Sequence, residues 1–407
     1  MDTNPKVSVV IPAYNCADYF AECIDSLLAQ TLSDFEIIIV DDGSDDGTFE
    51  LAKQYEDAHD FIHVYSQEHK FAGEARNEGI RRARGEYLIF LDGDDVFEKD
   101  LLLHASRRLD ETKADVCVFG AGHLNNQTGE IAYRRSSFNV SVCPNTDTFN
   151  RVSNPRYIYN YTTPAPWTKM YRRDFVVDNG LWFQNTRSSN DLRFVYTSLA
   201  IARSITILDE FLVIYRQKQS SSLQATQHKD PFAFYEALIG LRDELESRGV
   251  LDSIAPAFHN AALVFCVYNV ECLEDHPLEQ QLIFDFLQTE GLKELGLADK
   301  PSSYFYLHSA SRLKKFSCIQ RGSLEKFNAV DAPVSAAVEG KTAMKSIKSG
   351  IRKLIPLRAS VFEKSRKELE SDLASLRHEV ESLAEQNRNI SDKLSACIME
   401  MDKRIDE

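Results

Sequence analysis

The chain has no cysteine pair spaced CxxC, although it holds eight cysteines: Cys16, Cys23, Cys117, Cys143, Cys266, Cys272, Cys318 and Cys397. Scattered in this way they fit reduced core thiols, not a disulfide frame or a zinc site. Positive charge is short: 47 Lys and Arg stand against 62 Asp and Glu, a formal net charge of -15. General nucleic-acid binding wants a basic face and is disfavoured. Nucleotides are not, because a metal ion can carry them to an acidic site. The opening residues Met1 to Lys6 lack the basic segment and apolar stretch of a secretory signal. No run approaches the ~20 apolar residues of a spanning helix. A cytoplasmic protein is expected, with contact to the inner face of a membrane left open. Also missing is a glycine-rich basic loop after the first strand; Pro12-Ala-Tyr-Asn15 stands there, which disfavours a nucleotidyltransferase.

What is present is a chain of 407 residues, 43% hydrophobic and 27% charged, long enough for two or three soluble globular domains. Residues 7 to 15 read VSVVIPAYN, a β-branched strand stopped by Pro12. Phe20, Ile24, Leu27 and Leu28 follow on one helical face. FEIIIV at 35 to 40 is a second buried strand, Phe61 to Tyr65 a third and Glu86 to Leu91 a fourth, with helices between them. A helix through Leu101 to Leu109 then precedes a strand from Asp115 to Phe119. This alternation predicts βαβ units, a mostly parallel sheet and right-handed crossovers. The polar strand ends at Asn15, Asp41 and Asp92 then share one edge of the sheet, where open α/β sheets bind ligands.

From about residue 121 the alternation breaks. Leu124 to Arg134, with Thr128-Gly129, suggests a hairpin, and 135 to 165 read as loop. Trp167 to Arg172 are regular again, a helix is expected from Asp191 to Ala202 and a strand from Ile205 to Tyr215. Ser220-Ser221-Ser222 reads as a linker or a flap. The expected organisation is an α/β domain over 1–225, a helical accessory module over 226–325, a linker with a basic segment over 326–362 and a coiled coil over 363–407.

The tail carries two patterns. Between Gly340 and Phe362 there is no acidic residue, while Lys341, Lys345, Lys348, Arg352, Lys353 and Arg358 flank an apolar stripe of Met344, Ile347, Ile351 and Leu354. Such a stretch either lies on an anionic membrane or docks on its own acidic protein. Then Leu369, Leu373, Leu376, Val380, Leu383, Asn387, Ile390, Leu394, Cys397 and Met401 alternate spacings of four and three. That seam predicts a parallel two-stranded coiled coil with Asn387 as a buried polar a residue, hence a homodimer. The other reading is a single amphipathic helix folded back on the body.

The sharpest signal is Asp92-Gly-Asp-Asp95, which delivers three carboxylates at the end of a central strand. Carboxylates this close raise one another's pKa unless a cation sits among them. Hard oxygen ligands suit Mg2+ or Mn2+, ions that bridge carboxylates to substrate phosphates. Asp94 is the better direct ligand, Asp92 touches ribose or metal, and Asp95 is free to cap the next helix.

VSVVIPAYN, IIVDDGSDDGT at 38 to 48, AGEARNEG at 72 to 79 and GEYLIFLDGDD at 85 to 95 together resemble family 2 glycosyltransferases, inverting enzymes of the GT-A fold that use nucleotide sugars. Trp167-Thr-Lys-Met-Tyr-Arg172 and Tyr215-Arg216 resemble later motifs of bacterial polysaccharide-forming members. The resemblance covers residues 6 to about 220. It implies a metal-dependent transfer of a hexosyl or N-acetylhexosaminyl group from a nucleotide sugar, a UDP-sugar by preference. The implied acceptor is a hydroxyl of a surface glycan or lipid-linked precursor. It places Pro12 and Tyr14 at the nucleobase, Asp41 on a uracil N–H and Arg76 on phosphate or an aspartate. Arg216 is assigned to diphosphate, with a structural ion pair as the other reading; Trp167 reads as a pocket wall or as core. The family's base comes from a Glu-Asp pair at a helix start. Here Asn190-Asp191 occupies that place, so Asp191 is the expected general base and Asn190 replaces the usual glutamate. The rival reading is an inactive sugar-nucleotide-binding scaffold organised by its coiled coil.

Overall fold

The computed structural model describes residues 4–133, 138–217 and 228–331. The Ser220–Ser222 segment, the basic stretch and the heptads lie outside the described residues.

The first half alternates as the apolar runs demand. Strand β1 (Val7–Ala13) leads to α1 (Ala17–Leu28), β2 (Phe35–Asp41) to α2 (Thr48–Ala58), and β3 (Ile62–Ser66) to α3 (Phe71–Arg82). The central strand β4 (Tyr87–Phe90) is followed by the two-residue β5 (Val96–Phe97) and α4 (Leu101–Thr112). Strands β3, β2, β1 and β4 lie side by side and parallel. Their residues alternate between two cores, as strands covered on both faces must. Val7, Val9 and Ile11 face a core with α1 and α4, while Val10, Ile38 and Phe90 face one with α3.

Pro12 does not end β1, as the sequence suggested; pairing continues to Ala13 opposite Asp41. Val10 offers its carbonyl to Leu91 on the β4 side and Ala13 offers its own to Asp42 on the β2 side. By strand alternation the Pro12 nitrogen faces the β4 side. Strand β4 ends opposite Val10, so no ladder bond is lost there.

The second half is built differently. β6 (Val116–Asn125) turns back through β7 (Ile131–Tyr133), an antiparallel hairpin with Gly129 at φ 74°. Trp167 sits in a 3-10 turn that feeds β8 (Lys169–Arg172), which α5 (Arg173–Asp178) follows. β8 is inserted antiparallel to both β4 and β6. α6 (Asn190–Ile201) then precedes β9 (Ile205–Gln217), which runs parallel to β6 and antiparallel to β5. The expectation of a mostly parallel sheet is therefore corrected: among the described strands four pairings are parallel and four antiparallel. Short β8, wedged between β4 and β6, accounts for two of the antiparallel pairings, and the β6–β7 hairpin and the β5–β9 pair for the others.

Helices α7 (Ala233–Ser247), α8 (Leu251–Glu271), α9 (Pro277–Phe286), α10 (Leu292–Glu294), α11 (Ala310–Arg321) and α12 (Leu324–Asn328) complete the described chain. Their apolar faces join the core under α6: Leu238, Phe258 and Phe316 belong to one cluster with Val10 and Phe194. α8 is 21 residues long and, by length and composition, apolar enough to cross a membrane, against the sequence expectation. Its apolar window is 61% buried inside the fold, as a core helix would be.

Candidate active site

Loops at the carboxyl ends of β1, β2 and β4 share one edge of the sheet, and Arg76 joins the β4 end to the start of α6. After β2, Asp41 is buried, and its Oδ2 accepts from the backbone N–H groups of Gly43 and Ser44 at 3.2 and 3.3 Å. Gly43, at φ 79°, allows that turn. Asp41 Oδ1 is buried with no partner, an acceptor awaiting a donor. Next to it, Asp42 Oδ1 accepts from the Lys70 backbone N–H at 2.8 Å, and Asp42 Oδ2 stands 2.8 Å from His69 Nδ1. His69 in turn stacks on Tyr14, with ring centroids 4.3 Å apart. Tyr14 stays 49% exposed, so it is not core filler. Phe71 closes the stack edge-on and adopts φ 66°, a costly value for an aromatic residue.

After β4 the chain turns at once, with Gly93 pressed against Cys16; a Cβ there would lie 3.2 Å from its sulfur. Asp92 and Asp94 keep part of their surface exposed, and Asp95 is fully buried. Asp95 does not cap a helix: its Oδ1 accepts the Arg216 backbone N–H at 2.9 Å, and Asp100 occupies the cap position of α4. Asp95 Oδ2 has no partner. Burial first, then the charges of Asp94 and Asp92, push its carboxyl well above the usual range.

Arg216 bonds to the protein itself, which is the structural ion pair of the two readings its sequence left open. Its Nε donates to the Asp94 carbonyl (3.0 Å), Nη1 to Asn126 Oδ1 (2.8 Å) and Nη2 to Glu22 Oε2 (2.6 Å). Its face lies 4.7 Å from the Tyr19 ring centre. With 7% exposure it braces the acidic turn from behind.

Arg76 is the hub. From the first turns of α3 its Nη2 donates to Asp92 Oδ1 at 2.6 Å, and its Nη1 donates to Asn190 Oδ1 at 2.9 Å. The guanidinium thus joins the end of β4 to the start of α6. Asn190 is 4% exposed and its role is visible: it orients Arg76 without adding a negative charge.

The next residue, Asp191, lies in the first turn of α6 after Ser189, whose φ is 57°. Its carboxyl is pushed up to about 6, by burial first. Asp92 raises it further, while Arg76, its own backbone N–H and Lys169 pull it down. A carboxylate with that value beside a cleft can take a proton near neutral pH.

The structure therefore brings together Pro12, Tyr14, Asp41, Arg76, Asp92, Asp94 and Asp191 at one edge, and it leaves Arg216 beneath the acidic turn. From the sequence alone His69 reads either as an extra metal ligand or as a surface or core histidine, and Lys169 is not singled out. Trp167 stacks flat on Tyr215, with centroids 5.2 Å apart.

Residues 8–179 match the family model described as glycosyl transferase family 2. The uncharacterized glycosyltransferase EpsJ of Bacillus subtilis is 33% identical over 53% of this chain and 62% of its own length. The poly(ribitol-phosphate) beta-N-acetylglucosaminyltransferase TarS of Staphylococcus aureus is 26% identical over 70% of this chain and 49% of its own. The crystal structure of TarS residues 1–349 with UDP superimposes with a TM-score of 0.58 at 23% identity, covering 80% of this chain and 90% of that one. That likeness supports a common GT-A-like fold. The chain spans 62%, 34% and 49% of the length of three curated relatives it matches, EpsJ, the pneumococcal glycosyltransferase GlyA and TarS.

Proposed function

We propose, from the match of residues 8–179 to glycosyl transferase family 2, that the chain is an inverting glycosyltransferase that moves a sugar from a UDP-sugar to a hydroxyl of a glycan or lipid-linked acceptor. The observation that carries this reading is the Arg76 hub, which joins a strand-end carboxylate, Asp92, to the helix start bearing Asp191. A donor held at the first and an acceptor at the second lie on one connected frame.

Asp41, with its unpartnered Oδ1, accepts the uracil N–H, and Tyr14 offers an exposed ring face to the base. Asp92 and Asp94 suit Mg2+ or Mn2+: both are hard oxygen donors, and the buried Asp95 Oδ2 behind them has no hydrogen-bond partner. Among the described residues no group of three or more His, Cys, Asp or Glu forms a metal cage. Asp92 and Asp94 would be the two protein groups that hold such a cation. When bound, the ion supplies positive charge against the departing diphosphate.

Asp191 takes the proton from the acceptor hydroxyl. The hydroxyl oxygen forms its bond to the anomeric carbon on the face opposite the bond to diphosphate, which breaks with its electron pair, and the configuration inverts. Asp191 then releases the proton to water. General-base assistance of this kind is worth ~10²–10⁴-fold in rate. The test is UDP release from UDP-sugars in the presence of manganese and candidate glycan acceptors, wild type against Asp191→Asn. UDP binding without release over every donor and acceptor pair would instead favour the scaffold.

The tail is assigned from its sequence pattern. These residues lie outside the described part of the chain; from the pattern alone we propose that the heptads from Leu369 to Met401 pair two chains and that the basic stripe between Gly340 and Phe362 brings the enzyme to an anionic membrane from the cytoplasmic side. Flotation with anionic liposomes at low salt tests the second assignment; no binding there ends it.

A further inference from the structure

One buried cation takes no part in the carboxylate cluster. Lys169 opens β8 with its side chain fully buried. Its ammonium meets four oxygens: the hydroxyls of Thr162 (3.0 Å) and Thr168 (2.9 Å) and the carbonyls of Thr163 (2.9 Å) and Ala165 (2.8 Å). All four come from the stretch that directly precedes it. That stretch contains Pro164 and Pro166, which contribute no N–H donors to satisfy those carbonyls. An ammonium carries three N–H donors and no acceptor, so four oxygens occupy it completely. A neutral amine would turn a lone pair toward one of them, so the cage calls for the charged form. Burial pulls Lys169 down to about 7 and the Asp191 charge works the other way; the four oxygens reinforce the charge.

Inside the gathered loop sits Trp167. Its ring lies flat on Tyr215 at 9°, and Tyr215 is the neighbour of Arg216, whose backbone N–H binds Asp95. Burial raises the Tyr215 hydroxyl, and the charges of Asp95, Asp92 and Asp94 raise it further, which sets the pair beside the acidic turn. No bond from the Trp167 loop to that turn is found among the described contacts; the ammonium joins all four of the loop's oxygens, which are otherwise linked only pairwise, Thr168 Oγ1 donating to the Ala165 carbonyl (3.2 Å) and Thr162 Oγ1 to the Thr163 carbonyl (3.4 Å).

We propose that Lys169 is a positioning residue: its ammonium folds the 162–168 loop around itself and so fixes Trp167 flat on Tyr215, as a wall of the cleft that holds the transferred sugar. The cleft's role rests on the donor-site reading above; the loop clamp does not. Lysine suits this task better than arginine, because a compact tetrahedral donor serves converging oxygens and a planar fork does not.

The chain has two tryptophans, so Trp182→Phe leaves Trp167 as the sole reporter. In that background Lys169→Met, confirmed as folded by circular dichroism, shifts Trp167 emission to the red and opens it to acrylamide quenching. Lys169→Arg, which keeps the charge, recovers part of the original spectrum. UDP affinity with manganese, measured by calorimetry, stays at the wild-type value in both. An unshifted, equally shielded Trp167 in folded Lys169→Met overturns the proposal. Should that variant fail to fold, Thr162→Val with Thr168→Val removes two of the four oxygens and keeps the cation. A smaller red shift is then expected, and an unchanged spectrum overturns the proposal equally. Failure of the wild type to bind UDP sinks the donor-site reading instead, and leaves the emission result to judge the clamp alone.

Discussion

The two sides of the cleft are built on different principles. On the nucleotide side, Asp41 organises its own turn through bonds to the neighbouring Gly43 and Ser44, at the end of a strand buried on both faces, while Asp42 reaches further, to Lys70 and His69. On the acceptor side, Asp191 owes its setting to groups far away in sequence. Arg76 reaches Asn190 across 114 positions, and Asp92 and Lys169 act on the carboxyl from β4 and β8. A local turn forms wherever its residues stand. A network spanning three elements forms only when the whole sheet has closed, so the acceptor side is the more fragile half.

Breaking the nucleotide side should have the largest effect. Asp92→Ala with Asp94→Ala removes both hard ligands, and UDP binding with manganese should fall below detection by calorimetry. Next comes Asp191→Asn, which should lower turnover by ~10²–10⁴-fold while UDP affinity stays at the wild-type value. Equal loss of both would erase the distinction between the two sides. Arg76→Met sits on the boundary and should damage both: donor affinity through Asp92 and turnover through Asn190 and Asp191.

Smaller effects sharpen the same contrast. With Asp191 at about 6, turnover should rise as pH increases through 6 and level off above it, because the base acts only when ionised. Donor binding should lack that step. Stability runs the opposite way. A carboxyl whose pKa is raised on folding favours the folded state while protonated, and that advantage is lost as pH rises through 6. Asp191→Asn should therefore melt higher than wild type above pH 6, with the gap closing toward pH 4; a gap independent of pH would remove burial as the cause. Smallest in effect on the cleft, truncation at residue 335 should halve the mass seen by light scattering and leave UDP affinity intact. Unchanged mass would reject the coiled-coil dimer.

The same contrast explains what was legible in the sequence. β1, β2 and β4 announce themselves as short, mostly apolar runs, each ending in a polar turn, and Asp41, Asp92 and Asp191 could be placed from those ends and from motif resemblance. The antiparallel entry of β8 could not. It has four residues, and nothing in Lys169 to Arg172 says that it pairs with β4, eighty positions earlier. Arg216 looked like a phosphate ligand because its partners, Glu22, Asn126 and Asp94, are scattered over the chain. Asn190 looked like a lost charge until its Oδ1 was seen to accept from Arg76. Lys169 stood in plain view within Trp167-Thr-Lys, but a four-oxygen cage has no sequence signature. Local chemistry could be read; long-range pairing had to be seen.

Calorimetric titration of UDP with manganese into the wild type and into Asp92→Ala with Asp94→Ala tests the central claim most directly. Clear binding to the first and none to the second is the predicted result. Equal binding to both would mean that these strand-end carboxylates hold no cation for a diphosphate, and the account would fail.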